Sequence, residues 1–201
     1  MSETPPELMA LAQTIAEELN AIDDHTWTAL NGYTHLAYIQ AADGRRFSLR
    51  ATGYRFQLGD RLEISGSYPR KEGNYGYISS HDNPPEIGVT SSRPPKALAK
   101  DIKRRFLPKF HEFWELALER KRRHEEYVTH QQKAGELMAE AFDGELRGER
   151  VRFSSTLDDG YWGHVEVSGN GTVMIEMRNV PVELAVQIGE LLRETSNLHE
   201  G

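Results

Sequence analysis

The 201-residue sequence contains no cysteine, which excludes disulfide staples, thiolate catalysis and the commonest structural zinc sites. Its first 40 residues hold six acids and no lysine or arginine. No run reaches the roughly 18 apolar residues of a membrane span, and no basic segment leads into an apolar stretch. Neither a spanning helix nor a signal peptide is expected, and a cytoplasmic location is. Catalytic wording is absent too. None of the eight histidines lies in a His-Glu-x-x-His or other ligand spacing, and no serine stands in a nucleophile elbow. Gly73-Asn74-Tyr75-Gly76-Tyr77 has neither the Walker lysine nor dinucleotide glycine spacing, and reads as a hairpin tip. The acid pairs Asp158-Asp159 and Glu125-Glu126 suit a turn and a solvated helix surface. The expectation is a non-catalytic protein with no metal and no cofactor.

What is present is enough apolar material for a core, 38% with 9% aromatics, and an uneven charge. The net −7 divides into −6 over residues 1–40, +1 over 41–90, +5 over 91–130 and −7 over 131–201. A basic middle between acidic ends can bind a polyanion locally, while the ends oppose wholesale coating of duplex DNA.

The basic middle is a helical arm over residues 93–144. Pro94 and Pro95 open it, and Leu98, Ile102, Phe106, Phe110, Phe113 and Ala117 recur at helical spacing. Pro108 lacks the N–H that would bond the Arg104 carbonyl, so a kink or break is expected at Leu107. Ala134, Leu137, Met138, Ala141 and Phe142 resume the stripe, with Gly135 a weak point and Gly144 a stop. Periodicity allows either a straight continuation or a hairpin near residues 124–132.

Before the arm, Thr4-Pro5-Pro6-Glu7 reads as a capping box opening a helix over residues 5–20. Asp23, Asp24 and His25 carry metal-ligand chemistry but have no second half in sequence, so a loop running into a strand is expected. Strands are expected at 27–30, 33–40 and 46–51, turned at Asn31-Gly32 and Asp43-Gly44, then at 62–65, with 75–79 and 86–89 as additions. After the arm, 151–157, 161–168 and 172–178 read as strands turned at Asp158-Asp159-Gly160 and Gly169-Asn170-Gly171. Asn179 then caps a last helix with Leu184, Ile188, Leu191 and Leu192 buried. The fold class is α+β: an antiparallel meander or small barrel, a long bent arm and a C-terminal β-hairpin-plus-helix unit. The expected domains are 1–92, 93–144 and 145–201.

Leu58-Gly59-Asp60-Arg61-Leu62-Glu63-Ile64-Ser65-Gly66 resembles the strand-turn wording of small oligonucleotide/oligosaccharide-binding barrels. That resemblance implies a curved sheet whose face and loops bind single-stranded nucleic acid by stacking and basic contacts. Arg46, Arg50, Tyr54, Arg55, Tyr68, Arg70, Lys71, Tyr75 and Tyr77 would form that surface, and Lys100, Lys103, Arg104 and Arg105 extend it on the arm. Ile87-Gly88-Val89, Arg93-Pro94-Pro95 and Ile102 with Arg104-Arg105-Phe106-Leu107-Pro108 resemble uncharacterised proteins encoded on bacteriophages and other mobile elements. Over residues 60–125 this implies a genetic setting and a role in host interaction. The leading expectation is a binding protein for single-stranded nucleic acid or a nucleic-acid-bound host complex. The alternative is an inhibitor or adaptor of a host defence protein, self-associating through the arm, with Glu17, Glu18, Asp23, Asp24, Asp158 and Asp159 as acidic contacts.

Overall fold

A computed structural model describes residues 4–33, 35–52, 60–71, 76–154 and 160–197. The chain divides into two compact units, residues 1–122 and 123–201, so the arm belongs half to each.

The first unit starts with α1 (Pro6–Asn20), whose Leu8, Ala12, Ile15 and Leu19 form one buried stripe. It packs on α2 (Pro95–Asp101) and on the first two strands of a sheet. That sheet holds β1 (Trp27–Asn31), β2 (Leu36–Ala41), β3 (Arg46–Ala51), β4 (Arg61–Ser67) and β5 (Glu86–Thr90), each antiparallel to the next. β1 and β5 remain edges: the meander is open, not a barrel. Period-two alternation sends Ala37, Ile39, Phe47, Leu49, Leu62, Ile64, Ile87 and Val89 to one face. Leu98, Ile102, Phe106 and Phe110 complete this core. Phe47 sits edge-on to Trp27 at 5.3 Å and to Phe106 at 5.4 Å, a geometry that suits aromatic quadrupoles.

Asp43-Gly44 forms the expected hairpin tip, with Gly44 at φ 90°. Of the strand expected at 75–79, the described residues 76–79 make one isolated bridge, Gly76 with Arg70, and run into a 3-10 turn at Ser80–Asp82. The capping box at Thr4 is not formed. Pro5 stands at the N-cap without a side-chain bond. Thr4 is buried, donating through Oγ1 to Leu36 O and accepting from Gly32 N–H, both at 2.7 Å. A hydroxyl that both donates and accepts is worth more across two part-buried backbone groups than at a helix end open to water.

No break occurs at Pro108. Residues Ile102–Phe106 widen into a π-helical turn in which Leu107 N–H bonds Ile102 O, and α3 (Leu107–Ala141) continues unbroken for 35 residues. The extra residue shifts the bonding register just ahead of the proline, which has no N–H to place. The arm is therefore continuous and not a hairpin.

The second unit comprises residues 123–141 of α3, a sheet of β6 (Glu145–Arg147), β7 (Arg150–Ser154), β8 (Trp162–Val167) and β9 (Val173–Arg178), and α4 (Val182–Asn197). Val151, Phe153, Val165 and Val167 form its core with Ala134, Met138, Phe142 and Leu146. Gly135 is no weak point, since the Leu146 side chain covers it. The stop at α3 is made by Asp143, in the left-handed region at φ 47°, with Gly144 N–H bonding Ala139 O. Gly144 is needed for close approach: a Cβ there would stand 2.7 Å from Arg152 O. Asn179 does not cap α4. It takes φ 56° three residues before the helix begins. The stripe expected to be buried is not: Leu184 and Ile188 are half-buried, and Leu191 and Leu192 are 64% and 61% exposed. The turn at Asp158-Asp159 lies outside the described residues.

Candidate nucleic-acid interface

The helices of the first unit cover one face of its sheet, and among the described residues the other face carries a groove bordered by residues 76–84, with Ser48 at its buried floor. Because Phe47, Leu49 and Ala51 point inward, Arg46, Ser48 and Arg50 point out. Strand register sets their neighbours: Arg46 opposite Gln40 and Ser67, Ser48 opposite Tyr38 and Ser65, Arg50 opposite Leu36 and Glu63. The Arg46 guanidinium lies 4.6 Å over the Tyr38 ring and donates to Ser67 Oγ at 3.2 Å. Ser48 and Ser65 hydroxyls meet at 3.0 Å, and Arg50 pairs with Glu63 at 2.5 Å. Tyr38, not singled out from the sequence, thus offers an aromatic ring on this face, and Tyr68 also borders its groove.

A mainly polar groove of about 520 Å³ lies over these strands, lined by Tyr38, Ser48, Arg50, Ser65, Ser67 and Arg70, with Ser79, Ser80 and Pro84 on its far wall. That wall is fastened to α3. Arg120 donates to Tyr77 O at 2.9 Å and grips both oxygens of Asp82 at 2.9 and 2.8 Å, and Asp82 also accepts from Ser79 N–H and Oγ. The Arg120 fork, then the Ser79 bonds, hold the Asp82 carboxyl far below the usual carboxylate range.

The residues expected to bind fall into separate groups. Arg50 and Arg70 line the groove and Arg46 projects from the same face of β3, with exposed Lys71 next in the chain after Arg70, its ammonium 5.5 Å from the Tyr77 ring. Lys100, Lys103, Arg104 and Arg105 sit on α2 and the π-helical turn, across the sheet from that face, because Leu98, Ile102 and Phe106 of the same segment plug the core. Several are internally engaged. Buried Asp101 takes Arg93, Arg104 at 3.4 Å and Arg105 at 3.9 Å, while Lys103 donates to Ile22 O. Tyr68 is not a stacking platform: its ring packs on Phe110 and Phe113, and burial pushes its hydroxyl pKa up. Tyr77 is buried as well. Tyr54, Arg55 and Tyr75 lie outside the described residues.

Folding also completes the cluster begun at Asp23 and His25. Asp23 Oδ2 accepts from Trp27 Nε1 and contacts His25 Nδ1, both at 3.0 Å, and His111 of α3 stacks on His25 at 4.9 Å and 20°. His111 carried no ligand spacing in sequence, and only packing brings it here. Arg45 Nη1 donates to His111 Nδ1 at 2.8 Å, while its Nη2 pairs with Glu115 and its Nε with Asp43. Burial first, then Arg45, holds His111 below the ordinary histidine pKa. Burial works to raise the Asp23 carboxyl, but the Trp27 and His25 bonds together hold it below its usual value. Asp23, His25 and His111 are close enough to share an ion. Stacked imidazoles, however, cannot aim in-plane lone pairs at one point, and Arg45 already occupies one lone pair. The arrangement serves as a polar clasp between the residue 23–25 segment, the β2–β3 turn and α3.

Among the described residues no helix is long and apolar enough to cross a membrane. The chain matches no family model, no curated protein and no solved structure.

Proposed function

We propose that this is a non-catalytic protein of a phage or mobile element that holds single-stranded nucleic acid on the open sheet face. The observation that carries the reading is the polar groove on that face, where Arg50, Arg70 and five serines line a space beside the Tyr38 ring. Guanidinium forks and hydroxyls match phosphate oxygens, and an aromatic ring on a strand suits an unstacked base. Arg50 and Arg70 of the groove, with Arg46 on the same face of β3 and Lys71 next in the chain, are the contacts to test. The arm cations across the sheet belong to a different surface.

Fluorescence anisotropy with labelled single-stranded DNA, single-stranded RNA and duplex tests it. With three phosphates neutralised, log affinity falls against log salt with a slope of about −2 on single strands. Arg50→Ala with Arg70→Ala weakens binding by about a hundredfold or more, because each removes charge-assisted bonds of roughly 1.5–3 kcal/mol. No binding of any of the three at low salt, or binding indifferent to this double variant, refutes the proposal.

A second reading, an adaptor for a host protein, rests on Tyr127, Val128 and Leu137 of α3, which are 41%, 43% and 62% exposed. Its acidic contacts are reduced, since Asp23 is engaged by Trp27 and His25. A stoichiometric protein partner that survives nuclease treatment of a host lysate favours this reading over the first.

A further inference from the structure

The second unit leaves a sheet edge unpaired. β9 is bonded to β8 along one side, and among the described residues nothing pairs with the other. Proteins that stay monomeric blunt such edges with lysine, proline or a bulge. Here the strand reads Val173-Met174-Ile175-Glu176-Met177-Arg178, and its first three residues are 41%, 55% and 48% exposed. Register places Val173, Ile175 and Met177 on the same face as the buried Val165 and Val167 of β8, the face that elsewhere in the sheet is covered.

α4 does not finish the covering. Leu184, Ile188 and Leu192 border an apolar groove of about 850 Å³ with Ile175, Met177 and Phe142, yet Leu192 and its neighbour Leu191 stay largely exposed. Val182 and Val186 lie on the other side of the helix and are 74% and 54% exposed. A helix apolar around more than half its girth belongs in contact on both sides.

We propose that this surface is the interface of a two-fold homodimer, in which β9 pairs antiparallel with β9 of a second copy and the exposed side of α4 packs against that copy. The two four-stranded sheets become one of eight strands. The order of side chains specifies a second copy. With Ile175 on the axis, nearly all of β9 is paired, the covered face reads Val173 opposite Met177 and Ile175 opposite Ile175, and Met174 meets Glu176 on the other face. No like charges oppose one another. Moving the axis to Glu176 would set two glutamates face to face. Val173, Met174 and Ile175 of β9 with Val182 and Val186 on the outer side of α4 amount to nearly three fully exposed residues, on the order of 450 Å² per copy before the paired β9 backbone is added, which is a small interface beside the roughly 800 Å² per partner of a standard one. This inference is independent of the nucleic-acid reading.

Size exclusion with light scattering on the full chain is expected to give twice the 22.9 kDa chain mass. Ile175→Lys and Ile175→Glu each set like charges on the axis and give monomers, and mixing the two variants restores the dimer. In the wild type, amide exchange along β9 slows as protein concentration rises. That measurement decides the matter if the variants lose their circular-dichroism signal. A wild-type monomer at every concentration, a dimer unchanged by Ile175→Lys, or β9 exchange independent of concentration overturns the proposal.

Discussion

Thr4 separates two accounts of the first helix, because a capping hydroxyl needs only to accept whereas a bridging one must also donate. Its Oγ1 takes Gly32 N–H and gives its proton to Leu36 O, at 2.7 Å each, in a residue only 6% exposed. Thr4→Val keeps the shape and removes both bonds, leaving a donor and an acceptor without partners at a cost of about 1–3 kcal/mol each. Some of that is recovered where water reaches the β1–β2 connection, so the expected loss is about 2–4 kcal/mol. Thr4→Ser keeps the hydroxyl and stays within about 1 kcal/mol, the share of one methyl. Thr4→Asp is the discriminating change. Aspartate is among the best N-cap residues, but its carboxylate cannot donate to Leu36 O and sits beside that carbonyl as a buried charge. Guanidinium unfolding, with amide exchange at Gly32 as the local readout, gives the order wild type, Ser, then Asp and Val clearly lower. A Thr4→Asp protein as stable as wild type would refute the bridging role and restore the cap.

Arg120→Ala releases the far wall of the groove from α3. Amide exchange over residues 76–84 speeds up and single-strand affinity falls, while overall unfolding changes little because the ion pair is solvent-facing. Unaltered exchange in that segment would show that the clasp is not what holds it. The His25–His111 stack makes stability depend on pH. His111 has a folded pKa below its ordinary 6.5, so the unfolded chain takes up the proton first. Its contribution is fully present above about pH 6.5 and is lost as pH falls from there through the folded pKa. His111→Asn flattens this part of the stability–pH curve, and a slope the same in variant and wild type would show that His111 is not its source.

Local pattern alone carried much of this architecture. The alternation in Arg46–Ala51 announced a two-faced strand with arginines outside, the Asp43-Gly44 and Asn170-Gly171 dipeptides marked hairpins that the structure contains, and heptad-like spacing from Leu98 to Ala117 marked the buried stripe of the arm. These signals are legible because they depend on side-chain period and on positive φ, which neighbouring residues determine. Long-range competition decided the rest. Thr4 left its helix because two part-buried backbone groups 28 and 32 residues away offered more. Pro108 did not break the arm, since a π-helical turn packed by Ile102 and Phe106 absorbed it. His111 joined Asp23 and His25, and Tyr68 sank against Phe110, through packing that no spacing encodes. Of the binding residues expected from the sequence, Arg46, Arg50 and Arg70 fell on one side of the sheet and Lys100, Lys103, Arg104 and Arg105 on the other, because only the packing of the covering helices decides which face a side chain reaches.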